Sequence, residues 1–297
     1  MRPFVCGVVA ALAGGLRASA HSFVSNVNIG GVAYDGWRPT DPDNTASAIG
    51  WSTTAFDHGY VNQSGYQTEE IICHRDAKNA LVHAVVEAGD TVHLQWNGWP
   101  ENHKGPVMDY LASCGESCET VDKRALEFFK INELGLLDGS NAPGRWASDE
   151  LIANNNSWMV QIPERIQPGF YVLRTEIIAL HNASYETGAQ NYPQCVNLQI
   201  TGSGTDLPAG VPAQALYNPN DESMHLDIYK GVTSYRIPGP PAISGAHTVT
   251  LSHPVPTATG TPVNVDDSPT SAQIIPIATT TTSSIARRQH ERDMEQF

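Results

Sequence analysis

The chain has 297 residues, 40% of them hydrophobic and 16% charged, with 17 Lys and Arg against 31 Asp and Glu for a formal net charge of -14. That apolar content can bury one large core or two modest ones and rules out wholesale disorder. The acidic balance, with no Lys/Arg-rich stripe anywhere, argues against a nucleic-acid binder, which needs a clustered positive surface.

Residues 1–20 read as a secretory signal peptide. Arg2 supplies a positive start, Val5 to Leu16 is apolar apart from small residues, and Ala18-Ser19-Ala20 offers a cleavage site. The apolar run is too short to span a bilayer of about 30 Å. A secreted, extracellular protein is therefore expected, with His21 as its first mature residue and no membrane or nucleic-acid partner.

Secretion sets how the cysteines are read. Cys6 leaves with the signal, and Cys73, Cys114, Cys118 and Cys195 remain, an even number in an oxidising compartment. Three pairings are possible in principle. Cys114 and Cys118 are close enough in sequence to staple one loop, which would leave Cys73 and Cys195 as a long-range clamp. A zinc site is the weaker idea, because Cys-x3-Cys lacks a second close pair. Sequons at Asn62, Asn155 and Asn182 suit a secreted glycoprotein.

From His21 to about Pro241 short extended runs alternate with turns, in keeping with 25 glycines and 20 prolines. Strands are expected over Ala80 to Glu87, Thr91 to Trp96, Ser157 to Ile162, Gly169 to Leu180 and Gln194 to Thr201. Ala88-Gly89-Asp90 reads as a hairpin turn. The best helical segment is short, near Asp122 to Phe129. The fold class that follows is all-β, an immunoglobulin-like antiparallel β-sandwich with long loops and little helix. Residues 242–297 shift to Thr, Ser, Pro, Ala and Val and then to a charged end, so a disordered tail is expected there. On that reading a truncation at Pro241 melts with the full mature chain.

Of the 11 histidines, three keep unusual company. A mature chain starting at His21 offers one metal both an α-amine and a ring nitrogen, and the amine's ordinary pKa of about 7.7–8.0 makes its proton easy to displace. His103 lies in Trp99-Pro-Glu-Asn-His-Lys-Gly-Pro, a constrained loop directly after the Thr91 to Trp96 strand. Together they supply three nitrogen donors, a set that favours copper without excluding zinc. The third group is Gly188-Ala-Gln-Asn-Tyr-Pro-Gln-Cys195, preceded by Leu173-Arg-Thr-Glu-Ile-Ile-Ala-Leu-His181. If residues 190 to 192 are extended, Gln190 and Tyr192 point to one side.

These segments, with the mature start His21-Ser-Phe-Val and Asn-His103-Lys-Gly-Pro-Val-Met-Asp-Tyr-Leu-Ala, resemble the fungal cellulose-active lytic polysaccharide monooxygenases of auxiliary activity family nine. The resemblance covers roughly residues 21–241. It implies one copper ion, cycling between Cu2+ and Cu+, held by the amine and ring of His21 and the ring of His103, with Tyr192 as axial neighbour. It implies that His181 and Gln190 assist proton delivery, and that Cys73 pairs with Cys195 and Cys114 with Cys118. Asn191 sits where members of the family often carry an aromatic residue.

The implied activity is oxidative cleavage of cellulose or a related β-glucan at C1 or C4. It uses O2 or H2O2 and an external electron donor, a small-molecule reductant or cellobiose dehydrogenase, with the enzyme as a monomer. For the sugar-binding face, Tyr34, Trp37, Tyr217 and Tyr235 stand in loop-like, proline- or glycine-flanked contexts. Two other classes compete. A glycoside hydrolase needs two carboxylates roughly 5–9.5 Å apart, and no acidic pair stands in a recognisable motif. A non-catalytic carbohydrate- or copper-binding sandwich fits the composition equally well.

Overall fold

A computed structural model describes residues 22–57, 59–265 and 274–276. The expected signal peptide and His21 lie outside the described residues, as does most of 266–297.

Val24–Ile29 (β1) and Val32–Asp35 (β2) form an antiparallel hairpin through Gly30 and Gly31, at φ 59° and 85°. A two-residue hairpin turn needs such positive φ, which glycine adopts without penalty. A long loop with two 3-10 turns and one α-helical turn, Glu70–Cys73 (α1), leads to Ala84–Glu87 (β3) and Thr91–Trp96 (β4). Next come Val107–Gly115 (β5), Glu127–Leu134 (β6), the small ribbon Leu136–Asp138 (β7) with Arg145–Trp146 (β8), and the helix Ala147–Ala153 (α2). Ser157–Gln161 (β9), Gly169–Ala179 (β10) and Gln190–Thr201 (β11) follow, then the short Val211–Pro212 (β12), Ala258–Gly260 (β13) and Ile274–Pro276 (β14).

Two six-stranded sheets result, in the orders β14-β13-β2-β1-β4-β9 and β12-β6-β5-β10-β11-β3. The expected all-β sandwich is the fold. Pairing is antiparallel except at β3 against β11 and β13 against β2. Val27, Leu94, Trp96 and Trp158 of the first sheet meet Leu111, Ile131, Leu173, Ile177 and Leu198 of the second to form the central core. The second sheet is covered on its outer face too, where Tyr110, Phe128, Val172 and Ile178 pack under Tyr66, Ile71 and Tyr217. Burial on both faces explains why consecutive rather than alternate residues of β5, β10 and β11 are buried, polar ones such as Asp109, Arg174, Glu176 and Asn191 included. Among the described residues no helix is long and apolar enough to cross a membrane.

Three expectations need correction. Ala88-Gly89-Asp90 is not a hairpin: β3 joins β11 in one sheet and β4 joins β1 and β9 in the other, so the turn carries the chain between sheets. Asp122 to Phe129 holds only a single 3-10 turn at Lys123–Ala125, after which β6 begins. Pairing with β5 and burial of Phe128 and Phe129 outweigh its weak helical periodicity.

The third concerns the boundary at 241. The chain stays on the sandwich well beyond it: Ile243 and Leu251 pack against the central core, and Thr257 N–H bonds Gly31 O at 2.8 Å. Ala258 is 5% exposed, and Val263 bridges His83. A few apolar residues suffice here because the strap adds to an existing sheet and builds no core of its own.

Truncation at Pro241 is accordingly expected to destabilise the domain by about 2–4 kcal/mol, given ~1.5–3 kcal/mol for each fully buried aliphatic side chain. That corresponds to a Tm roughly 5–10 °C lower for a domain of this size. Calorimetry on the two forms checks it, and equal melting would mean that the strap contributes nothing.

Candidate functional site

After β4 the chain turns through Asn97 to Pro106 before β5. Asn97 fixes the start of the described chain to this loop: its Oδ1 accepts from Ser22 Oγ and from Phe23 N–H, both at 2.9 Å. Within the loop, His103 N–H bonds Pro100 O at 3.0 Å and Trp99 Nε1–H bonds His103 O at 2.9 Å. Farther on, the main chain is zipped to the end of β10. Ile178 N–H donates to Pro106 O at 3.2 Å and Leu180 N–H to Lys104 O at 2.8 Å. Gly105 is required between them, since a Cβ there would stand 1.8 Å from Ile178 O.

The other half of the site comes from the hairpin of β10 and β11, whose register sets Ala179 opposite Gln190 and Ile177 opposite Tyr192. Gln190 and Tyr192 do share a face. Tyr192 O–H donates to Gln190 Oε1 at 2.9 Å. His181 follows the end of β10, and its ring lies 4.0 Å from the ring of His103, centroid to centroid, at 32°. Trp99 stands edge-on to both Tyr192 at 5.0 Å and His103 at 6.0 Å, and the His103 and Tyr192 rings are 6.5 Å apart. One tryptophan thus packs against both the imidazole and the phenol. His103, Gln190 and Tyr192 are 7%, 7% and 1% exposed, so each is held by packing rather than by solvent-facing contacts.

Electrostatics follow from that burial. Desolvation lowers the pKa of His181, whose buried Nδ1 has no hydrogen-bond partner, so the ring is neutral at pH 7. Burial, with a smaller effect from Tyr60, holds the Tyr192 phenol protonated well above its ordinary range. His103 Nδ1 lies 2.9 Å from Asn102 Oδ1. Because that oxygen only accepts, the proton belongs on Nδ1 and Nε2 becomes the acceptor nitrogen, the form in which imidazole ligates metals.

Behind the site, Arg174 and Glu176 form a fully buried ion pair on the outer face of β10, at 2.8 and 3.0 Å. Arg174 also donates to Ile71 O and Ile72 O. Glu176 accepts from Asn191 Nδ2 at 2.9 Å and from the Tyr217 hydroxyl. Asn191 is therefore a buried link between the strands, its Oδ1 taken by Tyr66 O–H at 2.7 Å.

The disulfides Cys73–Cys195 and Cys114–Cys118 are both formed, which removes the zinc alternative. Of the expected sugar-binding aromatics, none is an exposed platform. Tyr34, Trp37 and Tyr217 are 4%, 5% and 4% exposed, and Tyr235 turns its ring edge against Trp146 with its hydroxyl on Ser223 O. Proline and glycine neighbours mark a loop but not which way its ring faces. Tyr60 escaped notice: it is 38% exposed and its ring lies 6.1 Å from Tyr192. The bridge of Val61 to Asn191 puts it there, a long-range pairing with no local signal.

Among the sequons, Asn155 is exposed at a positive φ of 59°. Asn62 caps the 3-10 turn Gln63–Gly65, and Asn182 is half-buried beside His181. Among the described residues no group of three or more His, Cys, Asp or Glu is set to hold a metal.

The sequence model of Auxiliary Activity family 9 (formerly GH61) matches residues 21–235. This chain belongs to that family. It is 53% identical over 254 residues to the AA9 family lytic polysaccharide monooxygenase G of Emericella nidulans, covering 84% of this chain and 93% of the relative. To the AA9 family lytic polysaccharide monooxygenase A of Thermoascus aurantiacus it is 54% identical over 228 residues, covering 76% of this chain and 100% of the relative. Among solved structures, the extended catalytic domain of H. jecorina LPMO9A superposes with a TM-score of 0.78 at 46% identity, covering 82% of this chain and 100% of that one. Membership makes the chain an enzyme, a lytic polysaccharide monooxygenase, and sets aside the hydrolase and the non-catalytic module.

The contact at Gly105 gives a direct test of how this AA9 enzyme positions His103. Gly105→Ala is expected to cost about 1–3 kcal/mol by overpacking against an immobile carbonyl and to separate the two imidazoles. Urea unfolding reads the first effect and the ring-current shifts of His103 and His181 read the second. Wild-type stability with unchanged ring shifts would show that the loop is not held through this contact.

Proposed function

We propose that the chain is a secreted enzyme that uses one copper ion to cleave β-1,4-glucan, cellulose above all, at C1 or C4. It draws electrons from an external reductant and oxygen from O2 or H2O2. The observation that carries this reading is the convergence of His103, His181, Gln190 and Tyr192 at one end of the sandwich, beside the loop to which Asn97 ties residues 22 and 23. The donor chemistry suits copper: neutral imidazole from His103, the amine and imidazole of a mature His21, and a protonated phenol too weakly basic to compete for the metal. Bound there, copper supplies the one-electron and oxygen chemistry that side chains lack.

The protein's own part is positioning and proton handling. Asn102 fixes the His103 tautomer, and Trp99 packs edge-on against both His103 and Tyr192. Gln190 orients the phenol through its carbonyl oxygen. His181, neutral and with its ring beside that of His103, is placed to pass a proton through Nε2, its Nδ1 being buried without a partner. The sugar-facing surface is assigned to Tyr60 and to Tyr185, 69% exposed and four residues past His181, in place of the buried aromatics. Stacking of pyranose rings needs an open ring face, which these two offer.

Two measurements test the reading. Placing one Ala before His21 converts the amine to an amide, a poor donor at neutral pH. Copper affinity by titration calorimetry is expected to fall by orders of magnitude, and ascorbate-dependent oxidised oligosaccharides to vanish from the product mass spectrum. Equal affinity and activity in the two forms would overturn the brace. Tyr192→Phe is expected to keep copper affinity within a few-fold while changing the metal's EPR spectrum. Loss of metal in that variant would make the phenol a required ligand.

A further inference from the structure

The outer face of the first sheet carries a histidine that the proposed chemistry does not use. His93, on β4, points away from the core and is yet only 4% exposed, with neither ring nitrogen hydrogen-bonded. Its cross-strand neighbours are Asn28 of β1 and Met159 of β9, neither of them titratable. What covers it is the strap. The His253 ring stands edge-on to His93 at 5.4 Å, and Pro254 O takes the amide of Asn28 at 3.1 Å. Ser252 O takes the Asn154 amide at 2.8 Å, and Asn155 Nδ2 and Ser157 Oγ hold the His253 ring at 3.2 and 3.4 Å.

A second buried histidine marks the strap's far anchor. His83 is 0% exposed, both its nitrogens are without a hydrogen bond, and its main chain pairs with Val263. The two anchors differ in one respect. Glu119 lies 3.6 Å from His83 Nδ1 and also receives Val265 N–H, so a proton on His83 would be met by a carboxylate. Among the described residues β1, β9 and the strap set no charged group against His93, and the titratable group that faces it is His253, whose own proton would repel.

We propose that residues 250–260 are an acid-released strap, latched over His93 at neutral pH and freed from the sheet when His93 takes up a proton, while the Glu119 anchor retains the chain beyond it. A buried imidazole without partners tolerates only its neutral form. Burial, with help from His253, lowers the His93 pKa to about 4. Freed, the ring would titrate near its ordinary ~6.5. The freed state thus binds more protons, so the docked state loses ground as pH falls below about 6.5 and stops losing near 4. From His93 alone, opening becomes roughly fifty- to a hundredfold easier between about pH 7 and pH 4.5.

Hydrogen exchange on the full mature chain tests this, with rates corrected for the intrinsic pH dependence. Amides of residues 250–260 are expected to lose protection by that factor between pH 7 and 4.5 while β10 and β11 keep theirs, and His93→Gln should remove the pH dependence. Strap protection that stays constant with pH, that falls only together with β10 and β11, or that falls equally in His93→Gln would overturn the proposal. Should that variant fail to fold, the His93 ring titration by NMR in the unaltered protein decides: a pKa well below 6.5 supports the latch, and an ordinary value removes it.

Discussion

Everything at the candidate site hangs on the register of β10 against β11. Tyr192 lies opposite Ile177 and Gln190 opposite Ala179; a slip of one residue would turn both side chains to the other face and bring Asn191 into their place. Register is guarded from the outer side. Arg174, Glu176, Asn191, Tyr66 and Tyr217 form a buried network in which each polar group finds its partner only in this alignment. Such an ion pair adds little net stability, because desolvation offsets its attraction, but any misalignment leaves a charge unpaired in the interior. Here it serves as a register pin, reinforced by the disulfide that ties Cys195 to α1.

From that hairpin the site is assembled by main-chain contact. The loop after β4 bonds to Ile178 and Leu180, and the absence of a side chain at Gly105 lets the two backbones meet. His103 reaches His181 because its loop is docked on the strand that His181 ends. Trp99 stands edge-on to both His103 and Tyr192, so one indole packs against the imidazole and the phenol together.

Much of this was legible in the sequence because the chemistry sits in short linear segments. Residues 99–106 and 188–195 carry their own turn residues, residues 173–181 read as a strand, and extended geometry alone puts Gln190 and Tyr192 on one side. The failures share a cause: they depended on partners distant in sequence. Nothing within Ala88-Gly89-Asp90 tells whether the flanking strands pair or part to different sheets. Tyr34, Trp37, Tyr217 and Tyr235 stand in loops, but only the packed fold decides that those loops fold inward. Residues 242–265 are too poor in apolar side chains to make a core, yet a sheet that already exists asks only that a few of them, such as Ile243 and Leu251, be covered.

The Cys73–Cys195 bridge closes a covalent ring across a sequence separation of 122, and His103, His181, Gln190 and Tyr192 all lie inside it. Residue 21 does not. Topologically the proposed metal centre is a closed loop with one detachable corner, joined through the three hydrogen bonds that Asn97 makes to Ser22 and Phe23. Local fraying of the first residues would therefore release the chelating end while the ring kept every other group in place. Recovery from such an opening requires only a short segment to find its place again.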